Sequence, residues 1–114
     1  MEFSYKILPQ GNSNVIFLDG ILNDKAQAQP LLDEIDQLIL SNSNKFVISM
    51  KDSKYINSTG LNVLINILTK ARKAGGDAII SDVPAKINEL LLITKLNTVF
   101  TVTSTVDEAV LVLK

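Results

Sequence analysis

Polar and apolar positions alternate at the start of the chain: Tyr5 and Ile7 are interleaved with Ser4 and Lys6, the period of a strand with one face in water. This pattern predicts a first strand from Phe3 to Leu8, stopped by Pro9-Gln10-Gly11-Asn12. The next run, Val15-Ile16-Phe17-Leu18, is apolar without interruption, so it predicts a strand from Asn14 to Leu18 that is buried on both faces and closes at Asp19-Gly20. Turn residues between the runs make them a hairpin, with the second strand the more central.

The period then lengthens. Leu31, Leu32, Ile35, Leu38 and Ile39 lie along one stripe of a helix from Asp24 to Leu40, with Pro30 in its first turn. After the polar connection Ser41-Asn42-Ser43-Asn44, Lys45 to Met50 reads as a third strand, and Lys51 to Lys54 as a polar loop. From Leu61 the helical spacing returns, with Leu61, Leu64, Ile65, Leu68 and Ala71 on one face and Val63 and Ile67 widening it. A stripe this wide calls for neighbours on more than one side. Gly75 stands where a left-handed residue ends a helix. Leu90-Leu91-Leu92-Ile93 is apolar all round, which favours a buried helix end over one left partly exposed. Ser104 or Thr105, followed by Asp107 and Glu108, is a capping-box arrangement for a last helix. Strands and helices alternate after the hairpin, so the class is α/β, a sheet with crossover helices.

Composition narrows the function. With 114 residues, 46% of them apolar, the chain reads as one domain spanning 1–114 with a core that needs neither metal nor disulfide. It has no His and no Cys, and its 12 acids are scattered without metal-ligand spacing. Gly75-Gly76 follows a helix, whereas a phosphate-cradling loop follows a strand. Expected, therefore, are no catalytic residues, no metal and no cofactor. Eleven basic residues against 12 acidic ones leave a net charge of -1 and no nucleic-acid footprint; Lys70, Arg72 and Lys73 complement the dipole at a helix end. Met1 to Lys6 has neither a basic n-region nor an apolar h-region, and no apolar run reaches the roughly 18 residues of a membrane span. The expectation is a cytoplasmic protein without membrane insertion.

The chemistry concentrates in Ile56-Asn57-Ser58-Thr59-Gly60-Leu61, which places Ser58 and Thr59 at or near a helix N-cap. Two readings compete: a hydroxyl satisfies an orphan amide of the first turn, or it accepts a phosphate whose charge the helix end stabilises. Asn57-Ser58-Thr59 also satisfies the N-glycosylation sequon, which means little without a secretory signal. Asp52, near a strand end, suits the acceptor carboxylate of a receiver-type domain. That mechanism needs magnesium-binding acids after the first strand, where Pro9-Gln10-Gly11 stands instead.

Asp52-Ser53-Lys54-Tyr55-Ile56-Asn57-Ser58-Thr59-Gly60-Leu61, followed by Val63-Leu64, resembles the signature of the STAS domain, the fold of anti-sigma factor antagonists. The likeness continues through the strand Ala78-Ile79-Ile80-Ser81, the helix opening Val83-Pro84-Ala85-Lys86-Ile87, and Asp107-Glu108-Ala109 near the end. It implies a single STAS domain with a mixed sheet of four to five strands, an N-terminal hairpin and about four packed helices. Ser58 matches the serine that a partner anti-sigma kinase phosphorylates in this family, with Thr59 as runner-up. The implied partner-binding surface is Asn23, Asn57, Ser58, Thr59 and Gly60, docking on an anti-sigma factor with serine kinase activity that brings its own ATP. Asn57 and Asn23 stand where the family usually has Asp, keeping the shape but removing charge. A STAS subunit of a transporter ATPase complex that is never phosphorylated is the alternative, and a receiver-type domain the lesser one.

Overall fold

The computed structural model describes residues 3–113. Strand β1 (Ser4–Gln10) turns back at Gly11, whose φ is +60°, and pairs antiparallel with β2 (Ser13–Leu22), Ser4 opposite Asp19 and Gln10 opposite Ser13. There follow α1 (Lys25–Leu40), β3 (Lys45–Ile56), α2 (Ser58–Lys73), β4 (Asp77–Ser81) and α3 (Ala85–Ile93). A 3-10 turn at Leu96–Thr98, β5 (Thr101–Thr103) and α4 (Val106–Val112) complete the domain. The five strands form one sheet in the order β1-β2-β3-β4-β5, parallel throughout except for the hairpin.

Strand alternation divides the core into two layers. Ile16, Leu18, Phe46, Ile48 and Ile80 point to one face, where they pack with Leu31 and Ile35 of α1, Leu64 and Ile67 of α2, and Ile87 and Leu91 of α3. Val15, Val47 and Ile79 point to the other, under Ala109 and Leu113 at α4. The breadth of the α2 stripe follows from this arrangement: Val63 and Ile67 are 1% and 0% exposed, enclosed in the same core as residues of α1 and α3. Gly75 stops α2 as expected, with φ +87°; its N–H donates to the Arg72 carbonyl at 3.0 Å and that of Gly76 to Ala71 at 2.9 Å. The cations of the last turn bind neighbours as well as the helix dipole, Lys70 with Asp36 of α1 at 2.8 Å and Arg72 with Asp77 of β4 at 3.2 Å. At the sheet edge, the Tyr5 hydroxyl donates to Glu34 Oε2 at 2.6 Å, and burial together with that carboxylate pushes its pKa up to about 12.

Several boundaries differ from the sequence expectation, each for a physical reason. Pro9 lies within β1 because β1 is an edge strand, where a missing N–H need not interrupt a ladder. Pro30 is the sixth residue of α1, in the second turn and exposed, where water can reach the carbonyl four residues back that loses its bond. Strand β2 continues past Gly20, at φ +89°, to Leu22, and so gives β3 a partner beyond Met50. Lys51 to Lys54 is therefore strand, not loop: Asp19 pairs with Asp52 and Gly20 with Ser53, with register shifts on either side. The end of α3 is only half buried. Leu91 is enclosed, while Leu92 and Ile93 are 53% and 79% exposed.

Candidate functional site

Strands β2 and β3 end side by side, Leu22 opposite Ile56, and each runs directly into a helix start. After Leu22, Asp24 caps α1 by accepting from the Ala26 N–H at 3.0 Å, and Gln27 Oε1 reaches back to the N–H groups of Asn23 and Asp24, both at 3.1 Å. After Ile56, Asn57 takes an extended conformation and caps α2: its Oδ1 accepts from the Gly60 N–H at 3.0 Å and its carbonyl from Leu61 at 2.9 Å. Asn57 Nδ2 donates across to the Asn23 carbonyl at 3.3 Å, so one side chain both starts α2 and ties it to the loop before α1.

The sequence places Ser58 and Thr59 at or near the cap, and they lie just inside it. They are the first two residues of α2, and the cap is Asn57. All three residue types can cap a helix; the Asn57 amide accepts from Gly60 with its oxygen and donates to Asn23 with its nitrogen, two bonds on separate atoms of one side chain. The Ser58 side chain is left exposed and outside the capping bond, whereas Thr59 is half-buried. Asn23, Asn57, Ser58 and Thr59 come together at one end of the sheet. Gly60 is buried beneath them, and a Cβ there would meet the Leu22 carbonyl oxygen at 2.5 Å as well as the Ile56 side chain. Its part is to let the first turn of α2 approach the strand ends. Asp52, the receiver-type acceptor, lies instead along β3 beside Asp19, and the antiparallel β1 departs from a wholly parallel sheet.

Beside Ser58 opens a cleft of about 470 Å³, lined by Lys54, Tyr55 and Ile56 from β3, Asn57 and Ser58 at the start of α2, and Lys86, Ile87 and Leu90 from α3. Sequence reasoning missed this cleft because it treated Lys54 as loop and placed no helix opposite Ser58.

The STAS domain family model matches residues 10–109 of the chain. The chain belongs to the STAS domain family. Among solved structures, the STAS fold seen here is similar to that of an anti-sigma factor antagonist from Mycobacterium paratuberculosis, with a TM-score of 0.82 and 18% identity over 98% of this chain and 94% of that one. It is also similar to the Bacillus cell fate determinant SpoIIAA in its phosphorylated form, with a TM-score of 0.74 and 13% identity over 97% of this chain and 100% of that one. A sulfate transporter family protein from Wolinella succinogenes matches as well, with a TM-score of 0.71 and 16% identity over 95% of this chain and 88% of that one. These identities establish a shared fold. Among the described residues of this STAS domain, no helix is long and apolar enough to cross a membrane.

The capping arrangement makes a measurable distinction between adjacent residues. Asn57→Ala should lower the unfolding free energy by about 0.5–2 kcal/mol, because it removes the acceptor for Gly60 and the tie to Asn23. Ser58→Ala, at an exposed side chain outside the cap, should stay within about 0.5 kcal/mol of the wild type. Urea unfolding of the two variants checks the order, and an equal loss in both would return the cap to Ser58.

Proposed function

We propose that this STAS domain is a non-enzymatic regulatory protein of the anti-sigma factor antagonist type. It docks on an anti-sigma factor with serine kinase activity through Asn23, Asn57, Ser58 and Thr59, on a surface shaped by Gly60, and it is switched in the cytoplasm by phosphorylation of Ser58. The observation that carries this reading is the exposed Ser58, one residue past the cap at the end of the sheet; the sequence resemblance matches it to the family's modified serine. The partner brings the ATP. Ser58 Oγ attacks the γ-phosphorus, the Oγ–P bond forms as the bond to the ADP oxygen breaks, and the hydroxyl proton passes to a base of the partner. The phosphate adds about -1.5 to -2 charge, tolerated in water but costly to desolvate inside a docked interface. A coupling of about 1–3 kcal/mol changes the affinity by roughly 5- to 150-fold, enough for release.

The likeness to a sulfate transporter family protein favours a second reading, a STAS subunit that stays bound to a transporter ATPase and is not phosphorylated. Affinity capture from an extract of the source cell, with and without ATP, separates the two. The switch predicts a serine kinase that is retained without ATP and released with it, leaving the bait with one phosphate on Ser58 by mass spectrometry. An ABC-type ATPase retained under both conditions, with the bait unmodified, would replace the switch by the second reading.

A further inference from the structure

The cleft beside Ser58 carries an unbalanced charge. Lys54 of β3 and Lys86 in the first turn of α3 both line it, and no carboxylate does. Among the described residues neither lysine is in an ion pair; both pairs present belong to other cations, Lys70 and Arg72. Glu89, one turn beyond Lys86 on α3, makes no ion pair with it, the first turn of α2 contains no acid, and Asp52 on β3 lies outside the cleft. Ile56 and Ile87, which also line the cleft, are buried, at 3% and 4% exposure, so the two lysines share it with apolar side chains. Two cations and a hydroxyl in one cleft, without a counter-ion, make a place for an anion formed on that hydroxyl.

The geometry points to Lys54 and Lys86 as a clamp that holds the phosphate of phosphorylated Ser58 within the same chain. The inference rests on the reading of Ser58 as the modified residue. The clamp ties β3 and α3 together across the cleft and occupies both ammonium groups, so acidic side chains of a docked partner lose them at the moment of modification. Release is then driven by the loss of two attractive groups as well as by the added negative charge.

Phosphoserine can be incorporated genetically at position 58, so the clamp is testable without a kinase. The 31P resonance reports the second ionisation of the phosphate, ordinarily near 6. Two nearby ammonium groups favour the dianion and lower that value. Lys54→Gln and Lys86→Gln should each raise it by about 0.2–0.7 pH unit relative to the otherwise wild-type phosphoprotein, as expected for an exposed ion pair, and the double variant should raise it further. About 1 M salt, with a screening length near 3 Å, should shrink the difference. Lys73→Gln, at the far end of α2, serves as a control for net charge. Titrations that coincide in all variants, or a shift as large for Lys73→Gln, would overturn the clamp. A kinase that leaves Ser58 untouched would sink the switch alone, since the encoded phosphoserine still reports on the two lysines.

Discussion

Gly60→Val should lower the melting temperature by about 10–20 °C, the largest stability effect expected of any single change at the sheet end. Gly60 is the third residue of α2 and is buried where the first turn crosses the ends of β2 and β3. Any Cβ there meets the Leu22 carbonyl oxygen at 2.5 Å and the Ile56 side chain. Ile56 could change rotamer, but the Leu22 carbonyl belongs to the last pair of the β2–β3 ladder and moves only with the strand. Overpacking of this kind costs about 1–3 kcal/mol, and a branched side chain stands at the upper end. Gly60→Ala should lose less, because alanine recovers about 1 kcal/mol of helix propensity against the same clash. Gly75→Ala is an instructive contrast: its nearest neighbour would be 3.9 Å away, so space is ample, but φ is +87° and the cost is backbone strain of about 1 kcal/mol. Thermal unfolding followed by circular dichroism ranks the three variants. An unchanged melting temperature for Gly60→Val would mean that the α2 start is not pressed against the strand ends.

The parts of the fold legible in the sequence are those with a regular period. Of the face predicted for α2, Leu61, Leu64, Leu68 and Ala71 are buried and Ile65 is half-buried, and Gly75 ends the helix by the left-handed conformation that its position suggested. The hairpin, with β2 interior to β1, and a sheet with crossover helices also follow from pattern, whereas the mixed sheet was implied by the STAS resemblance. The second half of β3 does not, because Lys51-Asp52-Ser53-Lys54-Tyr55-Ile56 buries only Ser53 and Ile56, a spacing of three that register shifts impose on a strand of period two. Ser53 is polar yet 5% exposed, and nothing local distinguishes it from a loop serine. Its burial depends on β2 continuing beyond Gly20, a long-range fact.

The candidate site was legible as a location and illegible as a geometry. Asn57, Ser58 and Thr59 are consecutive good N-caps, so local preference leaves the choice open. The Asn23 carbonyl decides it, 34 residues away in sequence, by accepting from Asn57 Nδ2. This also gives the amide at position 57 a structural purpose: an Asp there would still accept from Gly60 but could not donate to Asn23. The cleft was out of reach for the same reason, since Lys54 and Lys86 line one cleft only once the fold sets the start of α3 opposite the end of β3.

Ser58→Ala should abolish incorporation of phosphate from ATP by the cognate kinase, a complete loss compared with the fractional effects expected at neighbouring positions. The expectation rests on the difference between two adjacent hydroxyls: Ser58 is exposed on the first residue of α2, while Thr59 is half-buried on the second. In-line attack on the γ-phosphorus needs the acceptor oxygen roughly opposite the leaving group, a geometry that a side chain partly covered by its own domain reaches poorly. Alanine at position 58 leaves the Asn57 cap and its tie to Asn23 in place, so the docking surface keeps its shape. Binding of the unmodified variant should therefore stay within a fewfold of wild type, about 1 kcal/mol or less, while the phosphorylation-dependent release disappears. Radiolabel incorporation followed by peptide mapping measures the first effect, and a binding titration with and without ATP the second. Full incorporation into the variant, mapped to Thr59, would move the switch by one residue. Loss of binding together with loss of phosphate would make the Ser58 hydroxyl a contact the partner needs, and not only the site at which it is released.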